Sequence, residues 1–294
     1  MVKTRFIGRD EVGRLAFGCW RMTNPDVGFN AALVERAVDL GMNLIDQADV
    51  YGLDWGGSGF GSCEEMLGRV FASRPGLRDR VVLATKGGIR VGVPYDSSTE
   101  YLTSACEASM SRLGVDVIDL FQIHRPDSFA HPVEVAEAMI SLQTRGLVRE
   151  FGVSNHTVAQ TRALQSHLPF PLATTQPEFS VAHLDPLSDG TLDLCNERGM
   201  VPLAWSPLAG GRVMRGEGVR AGLVQVLDEL AAREGVGRDA LAVAFVLHHP
   251  SRPVAIVGSQ NIEHLESVSA ATTVELSRAD LYRLVEASMG VPLP

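Results

Sequence analysis

The chain has 294 residues, a formal net charge of −9 at pH 7, 45% hydrophobic residues and 21% charged ones, the make-up of a soluble globular protein. No apolar run reaches the ~18 residues a spanning helix takes, and the N-terminus, MVKTRFIGRDEVGRLAFG, scatters charge where a signal peptide has an unbroken apolar centre, so membrane insertion and export are not expected. The negative balance argues against general affinity for nucleic acid; Cys19, Cys63, Cys106 and Cys195 lie far apart without C-x-x-C spacing, which signals neither a zinc site nor a disulfide framework and fits reduced thiols in the cytoplasm.

In chain order, residues 2 to 14 are expected to form a lead-in, a hairpin closing the floor of the fold. Then come LAFGC, NLID, VVLATK, VIDLFQIH, EFGVSN, ATTQPEF, VPLAWSP and VAIVGS, eight β-rich runs without helical spacing. The segments between them are helical in period. Leu102, Cys106, Met110 and Leu113 share one face, as do Val135, Met139 and Leu142 in a helix with Pro132 near its start and Gly146 at its end. Strict β-then-α alternation implies parallel strands joined by crossovers, and eight such units in roughly 250 residues is the count of a single (β/α)8 TIM barrel, class α/β. A doubly wound open sheet is the alternative. No Pro- or Ser-rich linker divides the chain, so residues 1–294 are expected to form one domain.

In such a barrel the active face lies at the C-terminal strand ends. Asp46 ends the second run, Tyr51 lies in the loop beyond it, Lys86 ends the third and His124 the fourth. Any one of them alone fits an ordinary loop residue; together they suit one chemistry. A phenol with a reference pKa near ~10 is a poor proton donor, and a neighbouring ammonium lowers that value. Lys86 is expected to supply the ammonium, Asp46 to pair with Lys86, and His124 to orient a substrate carbonyl.

This set, in this order and on these strands, resembles the catalytic tetrad of the aldo-keto reductases, and the resemblance runs from FGCWR to IVGSQNIEHLES. It implies a (β/α)8 barrel that reduces an aldehyde or ketone reversibly with NAD(P)H, hydride coming from the nicotinamide and the proton from Tyr51. A small carbonyl compound is then the partner, and nothing in the sequence indicates an oligomer. By the same resemblance Cys19, Trp20 and Asp46 border the cofactor. Ser154, Asn155 and Gln176 are similar to the residues that clamp the carboxamide, and Trp205 to the aromatic stacked on the nicotinamide. Ser206, Leu208, Gly210, Gly211 and Arg212 resemble the pyrophosphate segment. Gly258, Ser259, Gln260 and His264 resemble the segment at the adenosine end, where a helix N-terminus suits an anion.

Departures from the family pattern shape two further expectations. Gly258 stands where many relatives carry lysine and His264 where they commonly carry arginine, so NADPH is expected to be preferred by a reduced margin and NADH to be possible. The C-terminal tail is short, as in the bacterial short-loop members, which leaves Trp20, Trp55 and Arg125 as candidate substrate walls. GGSGFGS (56–62) lacks G-x-G-x-x-G spacing and is expected to be flexible loop. His248 and His249 face different sides of a helix without an acidic or cysteine partner, and are expected to cap a helix end and not to bind a metal. An alternative function is a cofactor-binding, redox-sensing or regulatory subunit with little turnover.

Overall fold

The computed structural model describes residues 4–294. It opens with an antiparallel hairpin, β1 (Thr4–Ile7) and β2 (Asp10–Gly13), in the expected place; residues 2 and 3 of that expectation lie outside the described residues. The barrel strands β3 (Leu15–Gly18), β4 (Leu44–Asp46) and β5 (Val82–Gly87) come next. A small hairpin, β6 (Ile89–Arg90) and β7 (Val93–Tyr95), is inserted after β5. The remaining barrel strands are β8 (Ile118–Ile123), β9 (Val148–Ser154), β10 (Thr174–Gln176), β11 (Val201–Ala204) and β12 (Val254–Val257).

All eight expected strands pair in parallel and close on themselves in the order β10-β11-β12-β3-β4-β5-β8-β9. The closing seam joins β12 to β3, with Ala255 opposite Leu15 and Val257 opposite Phe17. Two arginines from the start of the chain hold it: Arg14 donates to Leu247 O (2.8 Å) and Pro253 O (3.1 Å), and Arg5 to Arg252 O (2.9 Å). Inside, Ala16, Leu44, Ala84, Leu120, Leu203 and Val254 pack with Ile7 and Val12 of the hairpin in one apolar cluster. The hairpin thus plugs the floor by contributing side chains to the barrel's own core.

The outer helices are α1 (Val27–Asp39), α2 (Ser62–Ser73), α3 (Thr99–Leu113), α4 (Pro132–Thr144), α5 (Val158–Gln165) and α6 (Thr191–Arg198). After β11 come α7 (Arg212–Arg215), α8 (Ala221–Glu234) and α9 (Arg238–Leu247), and after β12 come α10 (Ile262–Ser269) and α11 (Arg278–Met289). Local chemistry sets their limits. The Asp26 carboxylate accepts from the N–H groups of Gly28 (2.7 Å) and Phe29 (3.1 Å) at the start of α1. Pro132 occupies the first turn of α4, where no N–H is needed, and Gly146, at φ 72°, lies just past its end. Leu102, Cys106 and Leu113 are buried on one face of α3 with Met110 half-buried beside them. His248 caps α9 as expected: its Nδ1 donates to Ala244 O (2.7 Å) and its Nε2 accepts from Leu276 N (3.1 Å). Among the described residues no helix is long and apolar enough to cross a membrane.

Candidate active site

Three adjacent strands build the candidate reacting centre. Asp46 is the last residue of β4, Lys86 lies near the end of β5, and His124 comes directly after β8. The loop leaving β4 is stitched to β5 by Gln47 N to Ala84 O (2.8 Å) and Asp49 N to Lys86 O (3.1 Å), which fixes where Tyr51 arrives. The Gln47 amide, wholly buried, donates to Cys63 O (2.7 Å) and ties the same loop to α2.

Lys86 is fully buried, and each proton of its ammonium has an acceptor: Asp46 Oδ2 (2.8 Å), Gln47 O (2.8 Å) and Tyr51 Oη (2.9 Å). Because Tyr51 accepts from the ammonium, its own O–H is free to donate into the pocket. The His124 ring stands edge-on to the Tyr51 ring, 5.8 Å between centroids and 81° between planes. Burial, with Lys86 and Arg125 adding positive charge nearby, holds the His124 imidazole well below its usual range and therefore neutral.

The expectation of a depressed phenol is corrected here. Burial pushes the Tyr51 hydroxyl up to about 12, and the Lys86 ammonium only partly offsets it. Burial is the main reason, and Asp46 adds to it: it lies against the same ammonium, so Tyr51 faces an ion pair, whose field falls off faster than that of a lone charge. The pairing in turn raises Lys86, since the attractions to Asp46 and Tyr51 outweigh its desolvation. Tyr51 is thus held as a neutral, hydrogen-bonded donor.

Above this centre lies a cavity of about 540 Å³ at the C-terminal mouth of the barrel. Of the residues singled out in the sequence, Trp20, Asp46, Tyr51, His124, Arg125, Ser154, Asn155, Gln176, Trp205, Ser206, Leu208, Gly210, Gly211, Gly258, Ser259 and His264 line it. Ser154 donates to Gln176 O (3.0 Å), and Asn155 Nδ2 donates to Ser154 Oγ (2.8 Å). Asn155 Oδ1 accepts from the Trp205 indole N–H (3.0 Å), which sets the plane of that ring. Gln176 Nε2 donates to Asp46 Oδ1 (2.9 Å). The turn at 206–211 puts Ser206, Ala209, Gly210 and Gly211 in the left-handed region, with φ of 49°, 51°, 67° and 88°, a concave run of backbone of the kind that receives anions.

Four other expectations are placed differently. Cys19 is wholly buried beneath the wall and does not reach the cavity. Arg212 turns away, its Nε donating to Ala209 O (3.0 Å), and Arg215, one turn further along α7, takes the lining position. The Gln260 carboxamide is buried away from the cavity, with neither polar atom partnered among the described residues. Trp55 is half-exposed at the rim, edge-on to Trp20 with 5.8 Å between ring centroids. Its carbonyl accepts from Thr23 Oγ1 (3.0 Å), and its ring carries the Arg21 guanidinium 4.0 Å above it. Trp55 supports the wall that Trp20 and Arg21 form.

Arg21, Met214, Arg215 and Asp239 also line the cavity and were missed in the sequence. Arg21 is next to Trp20 and had the same strand-end signal. Arg215 follows Arg212 by one turn, and which of the two side chains enters the cavity depends on packing alone.

These groups fit a nicotinamide dinucleotide. The catalytic end offers hydroxyl and amide groups and an indole face, the middle a left-handed turn flanked by Arg21 and Arg215, and the far end the Asn261-capped start of α10 beside Ser259 and His264.

Comparison with known proteins agrees. The Aldo/keto reductase family model matches residues 14–288. A 6-dehydroglucose reductase of Novosphingobium aromaticivorans is 44% identical over 286 residues, covering 96% of this chain and 94% of its own. Oxidoreductase YdhF of Escherichia coli is 35% identical, covering 97% of this chain and 96% of its own. Among solved structures, an aldo/keto reductase from Klebsiella pneumoniae in complex with NADP and acetate superposes with a TM-score of 0.81 at 29% identity, covering 100% of this chain and 98% of that one. The chain belongs to the aldo/keto reductase family, a family of oxidoreductases that use a nicotinamide cofactor.

Proposed function

We propose that this protein reduces the carbonyl of a small polar aldehyde or ketone with NADPH as the preferred cofactor and NADH as a weaker one, Tyr51 supplying the proton. The observation that carries the reading is the chain Asp46–Lys86–Tyr51, with its contacts of 2.8 and 2.9 Å, opening beside a neutral His124. When bound, the nicotinamide supplies the hydride. The protein's own groups do the rest. Ser154, Asn155 and Gln176 hold the carboxamide end, and Trp205 supports the ring. His124 and Tyr51 both donate to the carbonyl oxygen and orient it, polarising the bond. As charge builds on that oxygen, the Tyr51 proton moves onto it from Oη, and the phenolate left behind is stabilised by the Lys86 ammonium, which Asp46 keeps in place. Tyr51 need not be acidic beforehand, because the developing alkoxide is the stronger base.

The family relative named 6-dehydroglucose reductase, together with Arg21 and Arg125 in the cavity wall, supports a hydroxyl-bearing substrate such as a sugar aldehyde, since guanidinium groups donate in several directions to hydroxyl oxygens. The test is oxidation of NADPH and NADH by the purified protein against aldehydes, ketones and sugar aldehydes, 6-dehydroglucose among them. Turnover confined to simple apolar aldehydes would overturn the substrate class. No turnover with any carbonyl, while the cofactor still binds, would favour the regulatory-subunit alternative.

A further inference from the structure

Gln176 holds two positions at once. It is 2% exposed, at the end of β10, and lines the cavity among the groups suited to the nicotinamide carboxamide. It also donates from Nε2 to Asp46 Oδ1 at 2.9 Å. The assignment of its amide follows from chemistry: a carboxylate oxygen only accepts, so the nitrogen faces Asp46 and Oε1 is left as the amide's acceptor in a residue that lines the cavity. Its main chain is held as firmly, since Gln176 O accepts from both Ser154 Oγ (3.0 Å) and Asn155 N (3.1 Å).

Four side chains therefore run in one line from the cavity to the proton donor. Gln176 grips one oxygen of Asp46, the other oxygen takes the Lys86 ammonium at 2.8 Å, and the ammonium donates to Tyr51 Oη at 2.9 Å. Gln176, Asp46 and Lys86 are buried and Tyr51 is half-buried at the cavity, an environment in which hydrogen-bonded chains polarise one another and are poorly screened. We propose that Gln176 is a positioning residue that couples occupation of the nicotinamide end of the cavity to the acidity of Tyr51. This rests on the proposed reductase reading for its use, but the chain from Gln176 to Tyr51 is a property of the protein without cofactor.

The direction of the effect is set by where the charge sits. With the Gln176 N–H on Oδ1, part of the Asp46 charge is neutralised from behind, and the ammonium is left freer to stabilise a phenolate at Tyr51. Without that donor the full aspartate charge falls on Lys86, and the Tyr51 proton is held more tightly. A donor arriving on Gln176 Oε1 polarises the amide in the sense that strengthens its bond to Asp46. A hydrogen-bond donor in the cavity thus makes Tyr51 more acidic without touching it.

The test needs no turnover. The chain has four tyrosines, so protein labelled with 3-fluorotyrosine, which lowers the phenol midpoint into an accessible range, gives four fluorine resonances, with Tyr51 assigned by its loss in Tyr51→Phe. In nucleotide-free protein we expect the Tyr51 midpoint to rise in Gln176→Leu by about half a pH unit, a shift of about threefold in the ionisation equilibrium. In Gln176→Met, which keeps the length of the side chain but offers no donor to Asp46, it should rise by a similar amount. Asn155→Ala, which weakens the same clamp without touching Asp46, should leave the midpoint in place. An unchanged midpoint in both Gln176 variants overturns the proposal, as does an equal rise in Asn155→Ala, which would mean general loosening. If Gln176→Leu does not fold, Gln176→Met decides alone. Failure of the reductase reading would show as absent turnover with these shifts intact.

Discussion

Lys86 and Asp46 form an ion pair at 2.8 Å with side-chain exposures of 0% and 3%, so neither charge is screened by solvent. Removing one partner leaves the other buried and uncompensated, which costs about 3–5 kcal/mol. Lys86→Met should therefore lose both reductase activity and stability on that order, read by denaturant unfolding. Lys86→Met combined with Asp46→Asn should recover most of the stability and none of the activity. A single variant as stable as the wild type would mean that the pair contributes nothing to stability.

Tyr51→Phe removes the proposed proton donor while leaving the clamp and the indole untouched. Reduction should fall by about 10²–10⁴-fold, the usual worth of a positioned general acid. The cofactor dissociation constant, read by quenching of protein fluorescence, should stay within about threefold. A parallel collapse of cofactor affinity would show that Tyr51 holds the binding pocket together instead.

The His124 imidazole, pushed well below its usual range by burial and by Lys86 and Arg125, links stability to pH. Its folded value is the lower one, so the unfolded chain takes up the proton first. The stabilisation is fully present above ~6.5 and is lost as pH falls from there toward the folded value. The unfolding midpoint should drop between pH 7.5 and 5, and His124→Gln should make the drop shallower by up to about 1.4 kcal/mol per pH unit. His156 and His249 are lowered by burial in the same direction, so part of the slope should remain.

At the far end of the cavity His264 stands beside Ser259, their Nδ1 and Oγ 3.4 Å apart. An arginine there can grip a phosphate with two parallel donors, which an imidazole cannot. His264→Arg should widen the preference for NADPH over NADH by about tenfold, equivalent to about 1.4 kcal/mol. Equal dissociation constants for the two nucleotides before and after the change would place the ribose phosphate elsewhere.

The sequence carries the barrel because its signals are local: an apolar run needs no partner to be recognised, and Pro132 and Gly146 mark helix limits by backbone chemistry alone. The positions of Asp46, Lys86 and His124 are legible for the same reason, as polar residues at the ends of such runs. The acidity of Tyr51 is not, since it depends on how much Asp46 cancels Lys86 inside a desolvated site. Nor is the choice between Arg212 and Arg215, which depends on the Arg212 side chain folding back to donate to Ala209 O. The β6–β7 hairpin escaped because its strands are two and three residues long, too short for any period to show.

The seam between β12 and β3 bears on how the molecule is made. Leu15 finds its partner in Ala255, and Arg14 its acceptors at residues 247 and 253, so the earliest barrel strand to leave the ribosome waits for the last. Until then β3 has an open edge and the hairpin below it has no finished core to plug. Contacts so distant in sequence are slow to form and expose strand edges meanwhile. Stalled or truncated nascent chains ending before residue 254 should consequently be open-sided and dependent on chaperones, however well their individual β/α units are formed.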